Sequence, residues 1–413
     1  MYQKSKILVV VTVFPSVTET FILNQITDLI DRGFDVTVFT YVQPQNAVVH
    51  QLFLDYQLEK QTVAHFKNYS SKIEILQKGF AFFRKYRKRI DFSKLTRPIN
   101  PFKIKQSILI LKKYYDLPIL LFKDEFEIVH CHFGYNGKKV ADAYALGICS
   151  YPKAILSFHG SDLTPSKVEY YKKIYNGVFQ YFHGFTVNSP YLHDILKLVN
   201  PSVANVHLIP EGFKKDYLQQ FLNVKKDKDD FHIVFCGRLI NWKGPDRAIW
   251  ILKKLIDSGR ENCILHIIGT GEMKAELEAL ANSLHVEKQL IFYGAIPQEK
   301  VFQTMASSSV FLLPGISEKI TARSEAQGLV LQEAQFFKLP VITADVGGIK
   351  YGMVPDETGF LVTENTEDCF VEKLILLYDN IELFQRMGQN GHDFVMKNFE
   401  STILGKKLEI LYC

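Results

Sequence analysis

Short apolar runs alternate with amphipathic segments in two successive series, and this alternation restricts the possible folds more than any other feature. Residues 7–13 form a continuous apolar run, as expected of a strand that is buried on both faces. Residues 20–32 have helical spacing and stop at Gly33, a residue that often ends helices. Such strand–helix repeats predict parallel sheets covered by helices.

The two series predict two domains, and a length of 413 residues points the same way. The strands predicted in the first series are 7–13, 35–41, 126–131, 154–159, 184–188 and 205–209. Those in the second series are 231–236, 263–268, 290–293, 310–313 and 340–343. We therefore predict an α/β chain of two Rossmann-like, doubly wound domains.

The boundaries follow from the segments between these series. The N-terminal domain is predicted at 1–210, with a basic helical insert at about 60–123. A polar run places a linker at 211–230, before a C-terminal domain at 231–385. Residues 386–413 are expected to be helical and could cross back to the N-terminal domain.

Composition narrows the class of protein. Hydrophobic residues make up 47% and charged residues 23%, which is ordinary for globular chains and excludes a disordered one. No apolar run reaches the roughly 18–20 residues that span a bilayer. The run at 7–13 leads to Pro15 without a cleavage motif, so we interpret it as a strand rather than a signal peptide. The six cysteines are scattered, which favours free thiols in the cytoplasm.

Positive charge is concentrated in the insert. Residues 67–113 contain fourteen lysines and arginines against two acidic residues. Within 72–89, four apolar residues share one helical face between these cations: Ile73, Leu76, Phe80 and Phe83. Such a helix could lie on an anionic membrane, or its apolar stripe could face the core. Nucleic acid is not an expected partner, because no module that reads bases is visible.

The segment from Glu325 to Glu333 is the strongest candidate for chemistry. Gly328 is predicted to open a helix, so that Glu325 lies in a loop and Glu333 lies inside the helix. Free N–H groups at such a helix start attract phosphate. A carboxylate one turn further along can accept both hydroxyls of a ribose. The alternative is a surface helix with two solvated glutamates.

A second candidate loop follows the predicted strand 231–236. Gly237 would let the backbone turn sharply there. Arg238 and Lys243 could then approach one anion from two sides, as a nucleoside diphosphate requires. The alternative is a solvated loop with incidental cations.

Together these two loops resemble the family-4 glycosyltransferases, which have the GT-B fold and retain the anomeric configuration. The remaining matching pieces are 269–272, 293–294, 339–348 and 358–362. The resemblance implies two Rossmann-like domains facing each other across a cleft. It also implies a hexosyltransferase-type enzyme that transfers a sugar from a nucleotide-sugar donor.

The resemblance also implies roles for single residues. Arg238 and Lys243 would hold the donor diphosphate, Glu333 the ribose and Glu325 the donor sugar. Gly237 would belong to the loop around the diphosphate, and the backbone from Gly328 through Leu329 to Val330 would surround sugar and phosphate. Gln327 and 350–351 depart from the family pattern, which leaves the identity of the donor sugar open.

Two further candidates lie in the N-terminal domain. The resemblance implies that His159 lies beside the anomeric centre of the transferred sugar; a local hydrogen bond at a strand end is the alternative. The loop containing Thr18, Glu19 and Thr20 is similar to that of colanic-acid and amylovoran-type exopolysaccharide transferases, and would face the acceptor. Thr18 or Thr20 could instead cap the next helix, and the two roles could also hold together.

No metal and no cofactor is expected. His130 and His132 would project from one face of a strand, but no coherent set of further ligands is visible. An Asp-x-Asp sequence occurs at 227–229, in the linker and far from any strand end. The leaving diphosphate could be stabilised by Arg238 and Lys243 instead. The Gly-Thr-Gly at 269–271 lacks the third glycine of a nicotinamide fingerprint.

The sequence therefore predicts a retaining, metal-independent glycosyltransferase. Its donor would be UDP- or GDP-linked, and its acceptor a saccharide or an undecaprenyl-linked saccharide of exopolysaccharide, capsule or lipopolysaccharide synthesis. It would act in the cytoplasm or on the inner face of the plasma membrane. The alternatives are a GT-B nucleotide-sugar epimerase and a catalytically silent protein that only binds nucleotide sugars.

Overall fold

The computed structural model describes most of the chain. The described residues are 5–16, 18–44, 50–66, 72–96, 104–123, 126–224, 229–318, 322–363 and 366–412. Asp227, of the Asp-x-Asp sequence, lies outside them.

The first sheet of the described chain has seven parallel strands. They are β1 (Lys6–Val13), β2 (Asp35–Val42), β3 (Thr62–Ala64), β4 (Ile128–His132), β5 (Lys153–Phe158), β6 (Gly184–Val187) and β7 (Val206–Leu208). Their spatial order is β3-β2-β1-β4-β5-β6-β7. The order reverses between β1 and β4, where a doubly wound sheet opens a crevice at its carboxyl edge.

The second sheet has six described strands, again all parallel. They are β8 (Phe231–Cys236), β9 (Cys263–Ile268), β10 (Leu290–Gly294), β11 (Val310–Leu313), β12 (Val341–Ala344) and β13 (Gly359–Val362). The order is β10-β9-β8-β11-β12-β13, so the reversal falls between β8 and β11. The α/β prediction with two doubly wound domains is therefore confirmed.

Helices connect the strands and cover both sheets. In the N-terminal half they are α1 (Thr20–Asp31), α2 (Gln51–Asp55), α3 (Lys72–Tyr86), α4 (Ser93–Thr96), α5 (Ile104–Asp116), α6 (Gly134–Ala145), α7 (Val168–Ile174), α8 (Pro190–Val199) and α9 (Lys215–Leu218). In the C-terminal half they are α10 (Pro245–Asp257), α11 (Lys274–Ser283), α12 (Gln298–Ser307), α13 (Leu329–Phe336), α14 (Glu367–Asp379), α15 (Ile381–Asn398) and α16 (Ser401–Tyr412).

The sequence of β1 is apolar throughout because both faces of the strand are buried. Ile7 and Val9 belong to one hydrophobic cluster, while Leu8 and Val10 belong to another on the opposite face of the sheet. Each such side chain contributes about 1.5–3 kcal/mol when fully buried. The strand is thus fixed from both sides, which holds the loop after it at the carboxyl edge.

The insert differs from the prediction of a purely helical segment at about 60–123. It begins with β3, which pairs in parallel with β2 and extends the sheet. A strand of only three residues among basic residues gives no alternating pattern long enough to recognise. Helices α3, α4 and α5 follow it.

The last helix, α16, returns to the N-terminal domain and packs against α1. Arg32, the residue that follows α1, places its Nη1 3.1 Å from Oε2 of Glu409 on α16, and its Nη2 donates to the carbonyl of Thr402. At the end of α16 the Tyr412 hydroxyl lies 2.6 Å from Nδ1 of His130 on β4. The C-terminal helix therefore links the two domains on the side of β1 and β4.

Candidate active site

The loops at the two carboxyl edges meet. Gly160, just after β5, lies against Ala326 in the loop before α13. Nearby, the hydroxyls of Tyr191 on α8 and Ser324 are 3.2 Å apart. These contacts bring the candidate residues of both domains around one region, because Gly160 follows His159 and Ala326 follows Glu325.

The loop after β8 approaches the same region. Its left-handed residue is Gly244, with φ 71°, rather than Gly237, which the sequence predicted as the turning point. A Cβ at Gly244 would come within 2.2 Å of the carbonyl oxygen of Pro314, so only glycine allows this approach. Pro245 then begins α10, as predicted. The loop is thereby held between the ends of β8 and β11.

Arg238 and Lys243 both contact the indole of Trp242. The guanidinium Cζ of Arg238 is 5.7 Å from the ring centroid and the Lys243 Nζ is 4.9 Å from it. Arg238 is exposed, whereas Lys243 is mostly buried and forms an ion pair with Glu325. One face of the C-terminal domain thus carries two cations close together, one of them neutralised by a carboxylate.

The Glu325–Glu333 segment folds as the sequence predicts. Gly328 has φ 82° and immediately precedes α13, whose first residues are Leu329 and Val330. The first N–H groups of a helix have no partner within the helix and attract anions. Glu325 lies in the loop, and Glu333 lies inside α13.

Glu333 is buried, so the alternative of a surface helix with two solvated glutamates is wrong for this residue. It is 7% exposed, and no hydrogen bond or ion pair to its carboxyl occurs among the described residues. Burial raises the pKa of Glu333 to about 8. An unpaired buried carboxyl costs stability, and carboxyls with strongly shifted pKa values occur most often at functional sites.

His159 follows β5 directly and is enclosed by aromatic rings. Its ring centroid lies 4.6 Å from that of Phe21 and 4.9 Å from that of Phe133. Its Nε2 is 3.0 Å from Nδ1 of His132, and its Nδ1 is 3.3 Å from Oε1 of Glu211. Both ring nitrogens therefore have partners, and the ring is held rigidly beside the contact between the domains.

The loop after β1 contributes Glu19, whose carboxyl turns inward toward His159. Its Oε2 is buried and makes no hydrogen bond within the described residues. Burial raises the pKa of Glu19 to about 7; nearby His159 lowers it, while Glu211 and Asp162 raise it further. A carboxyl that changes charge near neutral pH can exchange a proton with a bound hydroxyl.

The two threonines of this loop do not cap α1. Glu19 occupies the N-cap position and makes no side-chain capping bond, while Thr20 is already the first helical residue. Thr18 is exposed, and its hydroxyl lies 3.5 Å from that of Ser16. The capping alternative is therefore wrong.

His130 and His132 face the same side of β4, as predicted. Their rings stack with centroids 4.5 Å apart, and burial lowers the pKa of His130 to about 3. Nε2 of His130 lies 2.6 Å from the hydroxyl of Ser157. Among the residues that the structure describes, no group of three or more His, Cys, Asp or Glu side chains is arranged to hold a metal ion.

The sequence pattern did not identify two residues of this region as functional candidates. Gln327 clamps the main chain of Glu211 across the domain boundary: its Oε1 accepts from the Glu211 N–H at 2.6 Å, and its Nε2 donates to the Glu211 carbonyl at 2.8 Å. The sequence marked Gln327 only as a departure from the family pattern. Glu211 carried no signal, because it lies in the predicted linker.

Three of the four apolar residues predicted to share one face of the helix at 72–89 are exposed to solvent. Ile73, Leu76 and Phe80 on α3 are 70%, 74% and 72% exposed, whereas the fourth, Phe83, is partly buried and packs against buried hydrophobic residues. The alternative of a core-facing stripe is therefore wrong for these three residues. Among the described residues, no helix is both long and apolar enough to cross a membrane.

Comparisons with known proteins agree with this architecture. The family "Glycosyl transferases group 1" matches residues 218–394. The chain is 26% identical over 383 residues to the amylovoran biosynthesis glycosyltransferase AmsK of Erwinia amylovora, covering 88% of each chain. It is 24% identical over 404 residues to the putative colanic acid biosynthesis glycosyltransferase WcaL of Escherichia coli (strain K12), covering 96% of this chain and 97% of the relative.

A solved structure shows the fold across the whole chain. Anabaena Alr3699/HepE in complex with UDP-glucose superposes with a TM-score of 0.69 and 15% sequence identity, covering 98% of this chain and 99% of that one. The chain therefore carries a group 1 glycosyltransferase domain at residues 218–394, has the GT-B fold of two facing Rossmann-like domains, and is similar to exopolysaccharide glycosyltransferases.

Proposed function

We propose that the protein transfers a hexose-type sugar from a nucleoside-diphosphate sugar, UDP- or GDP-linked, to a saccharide or undecaprenyl-linked saccharide. The product would serve exopolysaccharide, capsule or lipopolysaccharide synthesis. The observation that carries the proposal is the convergence of Arg238, Lys243 and the start of α13 beside the contact between the domains. The names of AmsK and WcaL support the polysaccharide context, and the UDP-glucose complex of HepE supports the donor class.

The donor diphosphate would bind between the two cations. Arg238 offers a planar guanidinium for bidentate contact, and Lys243 offers a point charge. Lys243 is paired with Glu325, so it would exchange this carboxylate for phosphate when the donor binds. Glu325 would then be released to accept hydroxyls of the donor sugar.

The nucleoside would lie deeper in the C-terminal domain. The N–H groups at Gly328, Leu329 and Val330 would meet phosphate and sugar oxygens, and the Glu333 carboxylate would accept the two ribose hydroxyls. A buried carboxyl without a protein partner fits this role, because the hydroxyls would supply the missing hydrogen bonds.

The reaction would proceed with retention and without a metal ion. The acceptor oxygen would attack the anomeric carbon from the side of the leaving diphosphate while the bond from that carbon to the phosphate oxygen breaks. The acceptor proton would pass to the departing phosphate, giving a glycoside and a nucleoside diphosphate. Arg238, Lys243 and the helix start would stabilise the developing charge. His159 would border the transferred sugar, and Glu19 with its loop would face the acceptor.

A thermal-shift panel of nucleotide sugars tests the donor, since a ligand that binds the native state raises the melting temperature. With the best donor, Arg238→Ala should lose about 2–4 kcal/mol of transition-state stabilisation. Lys253→Ala, a cation on α10 that pairs with Asp257, is the matched control and should retain wild-type turnover. Near-wild-type turnover in the Arg238 variant would contradict the assignment.

Product analysis separates transfer from epimerisation. A transferase forms a glycoside only when the acceptor is present, whereas an epimerase converts the donor sugar without one. Assays with EDTA and with added Mg²⁺ test the metal, and retention is tested by the anomeric configuration of the product. An activity that EDTA abolishes, or an inverted product, would overturn the corresponding part of the proposal.

We further propose that α3 docks the enzyme on the anionic inner face of the plasma membrane, close to a lipid-linked acceptor. The exposed stripe of Ile73, Leu76 and Phe80 lies among exposed cations. These cations are Lys78, Arg84, Lys85, Arg87 and Lys88. Anionic headgroups attract such a segment by about 1 kcal/mol for each nearby cation, while the apolar side chains enter the interface.

Liposome flotation tests the docking. The wild type should float with vesicles of phosphatidylglycerol and phosphatidylcholine, and far less with phosphatidylcholine alone. Leu76→Gln combined with Phe80→Gln should reduce flotation, whereas Ile410→Gln should not, although Ile410 on α16 is 75% exposed. Equal flotation with anionic and neutral vesicles would exclude the proposal.

A further inference from the structure

We infer that Glu211 is a positioning residue, which couples the contact between the domains to the orientation of His159. Its carboxylate faces the His159 ring, while its main chain is clamped by Gln327 of the C-terminal domain. The inference rests on the proposed function in its assumption that His159 borders the transferred sugar.

The carboxylate of Glu211 is itself held in place. Its Oε1 accepts a hydrogen bond from Nδ2 of Asn188 at 3.1 Å and lies 3.3 Å from Nδ1 of His159. The Glu211 side chain is 13% exposed, and Asn188, just after β6, is buried. A carboxylate fixed by a buried amide has few alternative orientations, so it presents one oxygen to the histidine.

This contact determines which nitrogen of His159 carries the proton. An ionised carboxylate only accepts hydrogen bonds, so Nδ1 of His159 must donate to it. Nε2 of His159 faces Nδ1 of His132 at 3.0 Å. Burial lowers the pKa of His132 well below its usual value, so this ring is neutral.

The neutral His132 completes the assignment. Its Nε2 is buried and has no partner in the described chain. Placing the proton on that atom would bury a free N–H, so the proton belongs on Nδ1, where it donates to Nε2 of His159. His159 is therefore fixed as the Nδ1–H tautomer, with Glu211 on one side and His132 on the other.

The clamp connects this arrangement to the donor side. Gln327 is buried and lies two residues after Glu325, in the segment proposed to bind the donor sugar. Both bonds from its amide end on the main chain of Glu211, so a shift of the segment moves Glu211 directly. The His159 ring is consequently held in one orientation only while the two domains are in contact.

Nitrogen-15 NMR of the histidine rings in the full chain tests the assignment, with His159→Asn identifying the signals. In the wild type His159 should show the Nδ1–H tautomer. Glu211→Ala should shift its ring signals, and Glu211→Gln should largely restore them, because its amide oxygen can still accept. Asn188→Ala, which removes the second bond to the same carboxylate, should shift them less. Unchanged ring signals in Glu211→Ala would overturn the inference.

Turnover of the nucleotide sugar chosen by the thermal-shift panel supplies the second measurement. Glu211→Ala should reduce kcat by about 10- to 100-fold with little change in KM, because the variant misplaces the His159 ring but leaves the binding of the nucleotide sugar intact. In the His159→Ala background, Glu211→Ala should cause no further loss. Asp194→Asn is the control, because Asp194 lies beside a histidine on the exposed surface of α8.

The outcomes separate this inference from the proposed function. If His159→Ala keeps full turnover while Glu211→Ala still shifts the ring signals, the role of His159 fails and the positioning stands. If the two losses of turnover multiply in the double variant, Glu211 acts independently of His159 and the inference is wrong. Melting curves and the signals of the other histidines show whether each variant is folded.

Discussion

Gly160 in the N-terminal domain touches Ala326 in the C-terminal domain so closely that a Cβ on Gly160 would lie 2.6 Å from the Cβ of Ala326. Gly160 also has φ 103°, a conformation that side chains rarely adopt. Sterics and backbone thus both require glycine at this position. The contact joins His159 and Glu325, each one residue away, into one site.

Gly160→Ala should therefore open the contact between the domains. We expect a lower melting temperature and a loss of turnover, because the added methyl group separates His159 from the donor segment. Gly259→Ala is the control: φ at Gly259 is 87°, but nothing lies within 4 Å of a Cβ there. It shares the backbone strain without the clash. Equal losses of turnover in the two variants would show that strain alone, rather than the domain contact, is responsible.

Glu325→Gln should strengthen the binding of a free nucleoside diphosphate. The carboxylate neutralises Lys243 and would repel phosphate, so its removal releases the cation for the ligand. We expect an affinity for UDP about 3- to 10-fold higher at low salt, measured by calorimetry. Turnover should fall, because the donor sugar loses a contact. Glu278→Gln, which breaks an exposed pair with Lys274, should change neither. Weaker UDP binding in Glu325→Gln would contradict this account.

The sequence predicts the parts of the site that depend on local pattern. Strands such as β8 and β11 lie at the predicted positions, and Gly328 opens α13 with Glu333 inside it. Apolar runs and a helix-start glycine are sufficient for these assignments. The proximity of Lys243 to Glu325 is then expected as well, because the loop after β8 and the loop after β11 both begin at the carboxyl edge of the same sheet.

The parts that depend on contacts across the chain could not be predicted. Gln327 and Glu211 are separated by 116 residues, and the clamp between them exists only once both domains have folded. The same holds for the contact of Tyr412 with His130, which lies 282 residues away. The sequence also could not show that Leu76 and Phe80 are exposed, because an apolar stripe on a helix does not reveal whether that face packs against the core.

Glu19→Gln should stabilise the protein at neutral pH and above. Burial raises the pKa of Glu19 to about 7, so the folded protein holds a proton there that the unfolded chain releases near pH 4.5. Stability is therefore lost as the pH rises from 4.5 through 7, by up to about 3 kcal/mol.

The measurement is chemical unfolding of wild type and variant at a series of pH values. The advantage of Glu19→Gln should grow between pH 4.5 and about 7 and then level off; Glu59→Gln, which replaces an exposed carboxylate before β3, is the control for the same change of side chain at the surface. A difference for Glu19→Gln that does not vary with pH would show that the carboxyl is solvated.

Nucleotide binding should release a proton from Glu333. Burial raises the pKa of this carboxyl to about 8, so at pH 7 most free protein molecules carry the proton. Two ribose hydroxyls that donate to the carboxyl favour its ionised form and lower its pKa. Binding and deprotonation are then linked, and affinity increases as the pH rises through 8.

Calorimetric titration with UDP at pH 7, in two buffers of different ionisation enthalpy, measures this release directly. We expect the wild type to lose up to about one proton more than Glu333→Gln for each nucleotide bound. The variant should bind more weakly above pH 8, because its neutral amide accepts the hydroxyls less strongly than a carboxylate. As the pH falls below 7 the difference in affinity should shrink, since ionising the wild-type carboxyl on binding then costs progressively more. An equal proton count in both proteins would mean that Glu333 does not meet the ribose, and that another group must compensate for its burial.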